Sequence, residues 1–398
     1  MNPLSLTVII TTSPVRSNPS LSMINATVST FRLGGEKFNL CPRLIVCDGY
    51  RVKDDDDDDK SNKSNKSNNS NQSRVTKKHS CDRSAMRSGI VSADQAENYG
   101  LYKRRIREAI ERDAGVVGAP FFNTTILELQ ERQGYGFALR AAVAAVDTKY
   151  VCVIQHDRCF MRESPMEEAV RAMDADEKVK YVGMLMRSNL NYKATITGRY
   201  GAEMEREIEG ELRRPEELLL DGSKYCNEEV AHELFSNFGK CGEKYASLRK
   251  AYLSAPAYQD LLSAPKRSDG KVQASLIPTL FWYDNVHIAR TEHYRDFVFD
   301  PKLKLVAKGG FVEDKLSPAM VKTARKLGFK EGWGKFGCFL LDDHCGVSFT
   351  GHLDGGSYLT DEQRRGVVTS RANGRPNDRT TEANERNSAK RVNDRSGV

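Results

Sequence analysis

Asp157 follows a continuous apolar run, Tyr150 to Ile154, after only Gln155 and His156. Open α/β sheets bind ligands outside the carboxyl ends of their strands, so a carboxylate there is placed to hold a metal ion or a ribose. A second acidic station, Glu313-Asp314, sits in GGFVED shortly before a helical pattern that begins at Pro318. Acidic side chains complement the positive end of a helix dipole, and proline suits a first helical position. Two later histidines, His344 in LDDHCGV and His352 in TGHLDGG, add imidazoles. Between the acidic stations lies an aromatic and polar run, Trp282, Tyr283, Asp284 and Asn285, with His287 just beyond.

The elements that must position these groups follow from periodicity. Ala138, Leu139, Ala142, Val143 and Val146 recur at helical spacing, which predicts a helix with one apolar face before the Tyr150 strand. The Tyr150–Ile154 run itself is the pattern of a strand covered on both faces in a mostly parallel sheet. LTVIITT (6–12), 43–47, 124–129 and 181–186 read as further strands, with helices over 20–31, 99–113 and 165–175. The 99–113 helix is charged and reads as exposed. Leu280 to Ala289 reads as a strand leading to a short helix capped by Thr291. A helix over 318–327 and an antiparallel pair, 336–341 with 347–350, complete the chain. This alternation defines an α/β protein with a Rossmann-like mixed, mostly parallel sheet flanked by helices.

The Gly136-x-x-x-Arg140 helix, the apolar strand, the acidic tip and GGFVED together resemble the centre of family 2 glycosyltransferases with the GT-A fold. The resemblance covers roughly residues 6–353, interrupted by two insertions. It implies an inverting, hexosyltransferase-like enzyme that moves a sugar from a UDP- or GDP-sugar to a hydroxyl of a glycan or other acceptor. In that family the strand tip is usually Asp-x-Asp and holds Mn²⁺ or Mg²⁺ on the diphosphate; here Gln155 replaces the first Asp and Asp157 matches the second. The resemblance further implies Asp314 as general base with Glu313 beside it, and His352, ahead of His344, as a further metal ligand. The resemblance places Thr11, Asp48 and Arg140 at positions that face the nucleotide in that family, next to Gln155 and His156. Trp282, Tyr283, Asp284 and Asn285 fall on the acceptor side, where aromatics stack on sugars and polar groups bond hydroxyls.

The chain has 398 residues, 39% of them hydrophobic, and a net charge of +7. Two polar tracts account for the low apolar content: a run of six Asp with a Ser/Asn/Lys repeat, and an Arg/Asn-rich end. Neither can bury a core, so 53–98 reads as a disordered insertion and 360–398 as a disordered tail. They separate a first nucleotide-binding part (1–52), its remainder with the metal-site strand (99–198), a helical insertion (199–274) and an acceptor and base region (275–359). No stripe of basic and aromatic residues points to nucleic acid, and no run approaches the ~20 apolar residues of a membrane span. Nine scattered cysteines without CxxC spacing favour buried thiols at Cys47, Cys152 and Cys338, and a reducing compartment. The cytoplasm is the favoured location; a Golgi location would need an anchor upstream. Two rival readings are a sugar nucleotidyltransferase and a degenerate, non-catalytic glycan- or nucleotide-binding protein. The first lacks its basic glycine loop in TTSPVRSNPS; the second is motivated by Gln155.

Overall fold

Runs of β-branched residues with no polar face become the central strands: every residue of LTVIITT and RLIVC is buried. The strands in chain order are β1 (Leu6–Thr12), β2 (Arg43–Cys47), β3 (Arg51–Val52), β4 (Ile90–Val91), β5 (Thr124–Glu128), β6 (Tyr150–Gln155) and β7 (Arg158–Phe160). They continue as β8 (Tyr181–Met184), β9 (Leu219–Asp221), β10 (Lys271–Gln273), β11 (Ser275–Pro278), β12 (His287–Arg290), β13 (Cys338–Asp342) and β14 (Thr350–His352). The helices are α1 (Ser22–Ser29), α2 (Glu36–Asn39), α3 (Ala93–Asp113), α4 (Tyr135–Ala144) and α5 (Met166–Ala175). After them come α6 (Tyr192–Gly210), α7 (Gly222–Tyr225), α8 (Thr291–His293), α9 (Glu313–Leu327) and α10 (Phe329–Gly334). This computed structural model describes residues 3–53, 88–186, 188–190, 192–225, 246–247, 250, 254 and 270–353. The six-Asp run, the tail after 360 and most of the 199–274 insertion beyond Tyr225 lie outside the described residues.

Eight strands form one sheet in the order β11-β13-β8-β12-β6-β1-β2-β5. β5, β2, β1 and β6 are mutually parallel, β12 runs against β6 and β8, and β13 is parallel to β8 while β11 opposes it. Strand side chains alternate between faces, and two apolar layers result. Leu6, Val8 and Ile10 of β1, with Tyr150, Cys152 and Ile154 of β6, meet Phe31, Tyr99, Tyr102 and Met166 on one face. Ile9, Val151 and Val153 meet Leu139 and Val143 of α4 and Leu316 and Met320 of α9 on the other. Helices on both faces of a mostly parallel sheet bear out the predicted fold class.

Several boundaries differ from the sequence reading. Helix α3 begins at Ala93, because Ser92 caps it: the Ser92 hydroxyl accepts the Gln95 N–H, and the Gln95 side chain accepts the Ser92 N–H. Residues 88–98 therefore belong to the fold, and α3 is not merely exposed, since it buries Tyr99, Tyr102 and Ile106. Of the predicted 280–289 strand only 287–289 forms, as part of β12; 279–286 is a connection whose Trp282 and Asp284 N–H groups bond to side chains of α9. Thr291 is not an N-cap; its hydroxyl donates to the Thr148 carbonyl. The 336–341 and 347–350 segments do not pair with each other: β13 lies between β8 and β11, and β14 pairs with β7. Within the 199–274 insertion, β9 and β10 form a two-stranded ribbon, so that region is not purely helical. Cys41, Cys47, Cys152, Cys159 and Cys338 are free and buried, the state expected of Cys47, Cys152 and Cys338.

Candidate functional site

The tips of β1, β2 and β6 lie side by side, and the β6–β7 turn carries the acidic residue the sequence singled out. Asp157 Oδ2 accepts a hydrogen bond from His352 Nε2 at 2.9 Å, although 195 residues separate them. The antiparallel register of β14 on β7 sets His352 opposite Arg158, and the Leu353 N–H closes the turn onto the Asp157 carbonyl. That placement depends on a buried ion pair. Arg162 donates to both carboxylate oxygens of Asp343 and to the Val347 carbonyl, pinning the segment between β13 and β14. Neither partner is exposed beyond 3%, and buried pairs of this kind are costly to break by removing one member.

Burial pushes the Asp157 carboxyl up, but the His352 hydrogen bond and the nearby His156, His352 and Arg158 side chains outweigh it and hold it down at about 2. It is an anion at neutral pH. Ten buried polar side-chain atoms among the described residues lack a hydrogen-bond partner, and three belong to consecutive residues of this turn: His156 Nε2, Asp157 Oδ1 and Arg158 Nε. Buried polar groups are normally paired, so such a run marks a place where a ligand, ion or water completes the set. Asp157 and His352 offer one carboxylate oxygen and one imidazole. No group of three or more His, Cys, Asp or Glu residues gathers there among the described residues. A hard divalent cation takes six or more ligands, mostly oxygen, so this pair fits a cation only as part of a shell completed by phosphate oxygens and water.

The acidic pair is placed differently. Glu313 and Asp314 are the first two residues of α9, five residues before the start predicted at Pro318, which lies inside the helix. The helix starts early because its cap comes from elsewhere in the chain. Asp284 Oδ2 accepts the Glu313 N–H at 2.9 Å, and Glu313 Oε2 accepts the Asp284 N–H at 3.1 Å. This reciprocal pair satisfies orphan donors as a capping box does, but across 29 residues. Ser317 Oγ both accepts the Trp282 N–H and donates to the Trp282 carbonyl, each at 3.0 Å. Asp314 is exposed; its Oδ2 accepts the Phe311 N–H at 2.8 Å, and Oδ1 has no partner among the described residues.

Two glycine pairs hold α9 against the start of α4. The Gly309 N–H donates to the Gln133 carbonyl, and the Gly136 N–H to the Gly310 carbonyl. A Cβ on Gly134 (φ 77°) would sit 2.4 Å from Gly309 Cα, so backbone meets backbone here. The acidic tip and the acidic pair thus flank one region, since the Tyr135 hydroxyl is within electrostatic reach of Asp284, Glu313 and Arg158.

Other sequence candidates are placed as follows. Thr11 is buried in β1 and accepts the His156 N–H through its carbonyl. Gln155 donates through Nε2 to the Asp284 carbonyl at 2.7 Å. The Asp48 carboxylate accepts the Gly49, Gln133 and Gly134 N–H groups and so clamps the turn before α4. Arg140 lies exposed on α4 over the Phe137 ring at 4.1 Å, a helix-face position with no contact to the tip residues among those described. Trp282 is 1% exposed and packs on Tyr181 and Tyr294, so its faces are closed to a sugar. Asp284 is buried as the α9 cap, and burial raises its carboxyl to about 8. Tyr283 and Asn285 stay half-exposed. His287 is buried, its Nδ1 on the Asn285 carbonyl and its Nε2 on the Tyr294 hydroxyl; burial lowers it to about 4. His344 is buried beside Ser275, with its Nε2 2.9 Å from Ser275 Oγ, and takes a structural place. Sequence reading missed Arg162 and Asp343; a charged pair 181 residues apart leaves no local signal.

No protein-family model matches the sequence, and no curated protein matches it. Among solved structures, it is similar to S. aureus TarS 1–349 in complex with UDP-GlcNAc (12% identity, TM-score 0.26), over 47% of this chain and 35% of that one. It is similar also to the mannosyltransferase PcManGT from Pyrobaculum calidifontis in complex with GDP-Man and Mn²⁺ (12% identity, TM-score 0.25), again over 47% of this chain. A third is core-mannan synthase A (CmsA/Ktr4) from Aspergillus fumigatus in its Mn/GDP form (8% identity, TM-score 0.24), over 89% of this chain and 71% of that one. The likeness to TarS thus spans about a third of that chain. At these scores the case for function rests on the site itself.

Proposed function

We propose that the chain is a glycosyltransferase of GT-A type that transfers a sugar, with inversion, from a UDP- or GDP-sugar to a hydroxyl of a glycan or similar acceptor. The observation that carries the reading is the β6–β7 turn: an ionised Asp157 bonded to His352, with one buried polar atom left unpaired on each of three consecutive residues at the carboxyl end of a parallel strand. Asp157 and His352 would hold a Mn²⁺ or Mg²⁺ ion together with the diphosphate. Such an ion supplies charge neutralisation for the leaving group. Thr11 and His156 border the nucleotide side, and Tyr283 and Asn285 the acceptor side.

Asp314 acts as the general base. Exposed at the start of α9, with Oδ1 open, it takes the proton of the acceptor hydroxyl as that oxygen attacks the anomeric carbon. The bond from that carbon to the diphosphate oxygen breaks on the opposite side, which inverts the configuration. Glu313 braces the helix start through Asp284 and touches no reacting atom. The chain has no helix long and apolar enough to cross a membrane among the described residues. The test is a titration of UDP- and GDP-sugars, with and without Mn²⁺, followed by slow donor hydrolysis. Metal-dependent binding of one nucleotide class supports the reading; absence of binding by every donor refutes it.

A further inference from the structure

Gln155 ends β6, two residues before Asp157, where the resembled enzymes carry a metal-binding aspartate. We propose that Gln155 is a positioning residue, which ties the tip of β6 to the base-bearing helix α9, and is not the remnant of a lost metal ligand. Its catalytic consequence rests on the glycosyltransferase reading above.

The link is a continuous run of hydrogen bonds. Gln155 Nε2 donates to the Asp284 carbonyl at 2.7 Å. Asp284 in turn exchanges two bonds with Glu313, through its own N–H and its Oδ2. Its Oδ1 accepts the Trp282 indole N–H at 3.2 Å, and Ser317 holds the Trp282 backbone. Asp314 follows Glu313 directly, so slack in this run moves the base relative to the sugar donor. The partner of Gln155 is a carbonyl oxygen, which needs a donor. An ionised Asp or Glu offers only acceptors, and Asp is one methylene too short. The residue type that looks like a defect in a metal motif is therefore the type this contact requires.

The experiment compares Gln155→Asp, Gln155→Glu and the similarly sized, donor-free Gln155→Met in the full chain. It reads Mn²⁺ affinity, hydrogen exchange of the α9 amides without ligand, and kcat against donor KM. Loss of one bond of this kind is worth about tenfold. Exchange in the first turn of α9 should rise by about that factor and kcat should fall by a similar one, while donor KM and Mn²⁺ affinity hold. Tighter Mn²⁺ binding by Gln155→Asp, or unchanged α9 exchange in all three variants, overturns the proposal. The exchange readout needs no turnover, so it stands apart from failure of the transferase reading, which would appear as a wild-type protein that binds no nucleotide sugar.

Discussion

The β6–β7 turn and the start of α9 flank one region yet follow opposite rules. In the turn, His156, Asp157 and Arg158 each leave a buried polar atom unpaired. At α9, both Asp284 carboxyl oxygens, Glu313 Oε2 and the Ser317 hydroxyl have partners. An unpaired buried polar group costs about 1–3 kcal/mol, so a fold keeps a run of them only where something else completes the set. Full pairing fixes geometry instead. Under the proposed function the turn receives a ligand, while the helix start holds the base in place.

Substitutions can break that contrast from either side. Asp314→Asn should leave donor binding within about twofold and lower transfer by a factor of about 10²–10⁴, the usual worth of positioned proton transfer. Glu313→Gln should lower transfer far less. Steady-state kinetics with a binding titration separate the two, and wild-type transfer by the Asp314 variant would move the base elsewhere.

Gly134→Ala attacks the packing that brings α4 to α9. The positive φ and the 2.4 Å approach to Gly309 together predict a loss of about 2–4 kcal/mol in denaturant unfolding. A loss near zero would mean the two glycine pairs are not closely packed.

Asp284 makes a pH-dependent contribution. Its folded carboxyl is raised from the ordinary 3.8 to about 8, chiefly by burial. The folded state therefore binds the proton more tightly, and the associated stability is full below the ordinary carboxylate value and lost as pH rises through about 8. Unfolding free energy measured from pH 4 to 9 should carry this decline, and Asp284→Asn should flatten it. An unchanged slope in the variant would assign the decline to another group. Smallest of all, Ser92→Ala removes the α3 cap and should cost about 1 kcal/mol with no effect on donor binding.

What could be read in the sequence was what is local. Buried β-branched runs gave β1, β2 and β6 to within a residue, because strands covered on both faces leave no polar positions. The start of α9 was misplaced because Pro318 mimics a first helical residue, while the true cap, Asp284, arrives from a connection 29 residues upstream. That same connection looked like a strand because Trp282 and Asp284 are both buried, yet they face a helix start and an aromatic cluster. The Asp157–His352 pairing was anticipated only through family resemblance. Nothing near either residue encodes the Arg162–Asp343 pair that seats β14.

The central claim is that the β6–β7 turn receives a metal-bound nucleotide diphosphate, and calorimetric titration of wild type and Asp157→Ala with Mn²⁺ and a UDP- or GDP-sugar tests it most directly. Donor binding in the wild type should vanish in chelator, and the variant should stay folded yet show no Mn²⁺-dependent binding. Equal donor affinity in the two proteins, or wild-type binding indifferent to chelator, would contradict it.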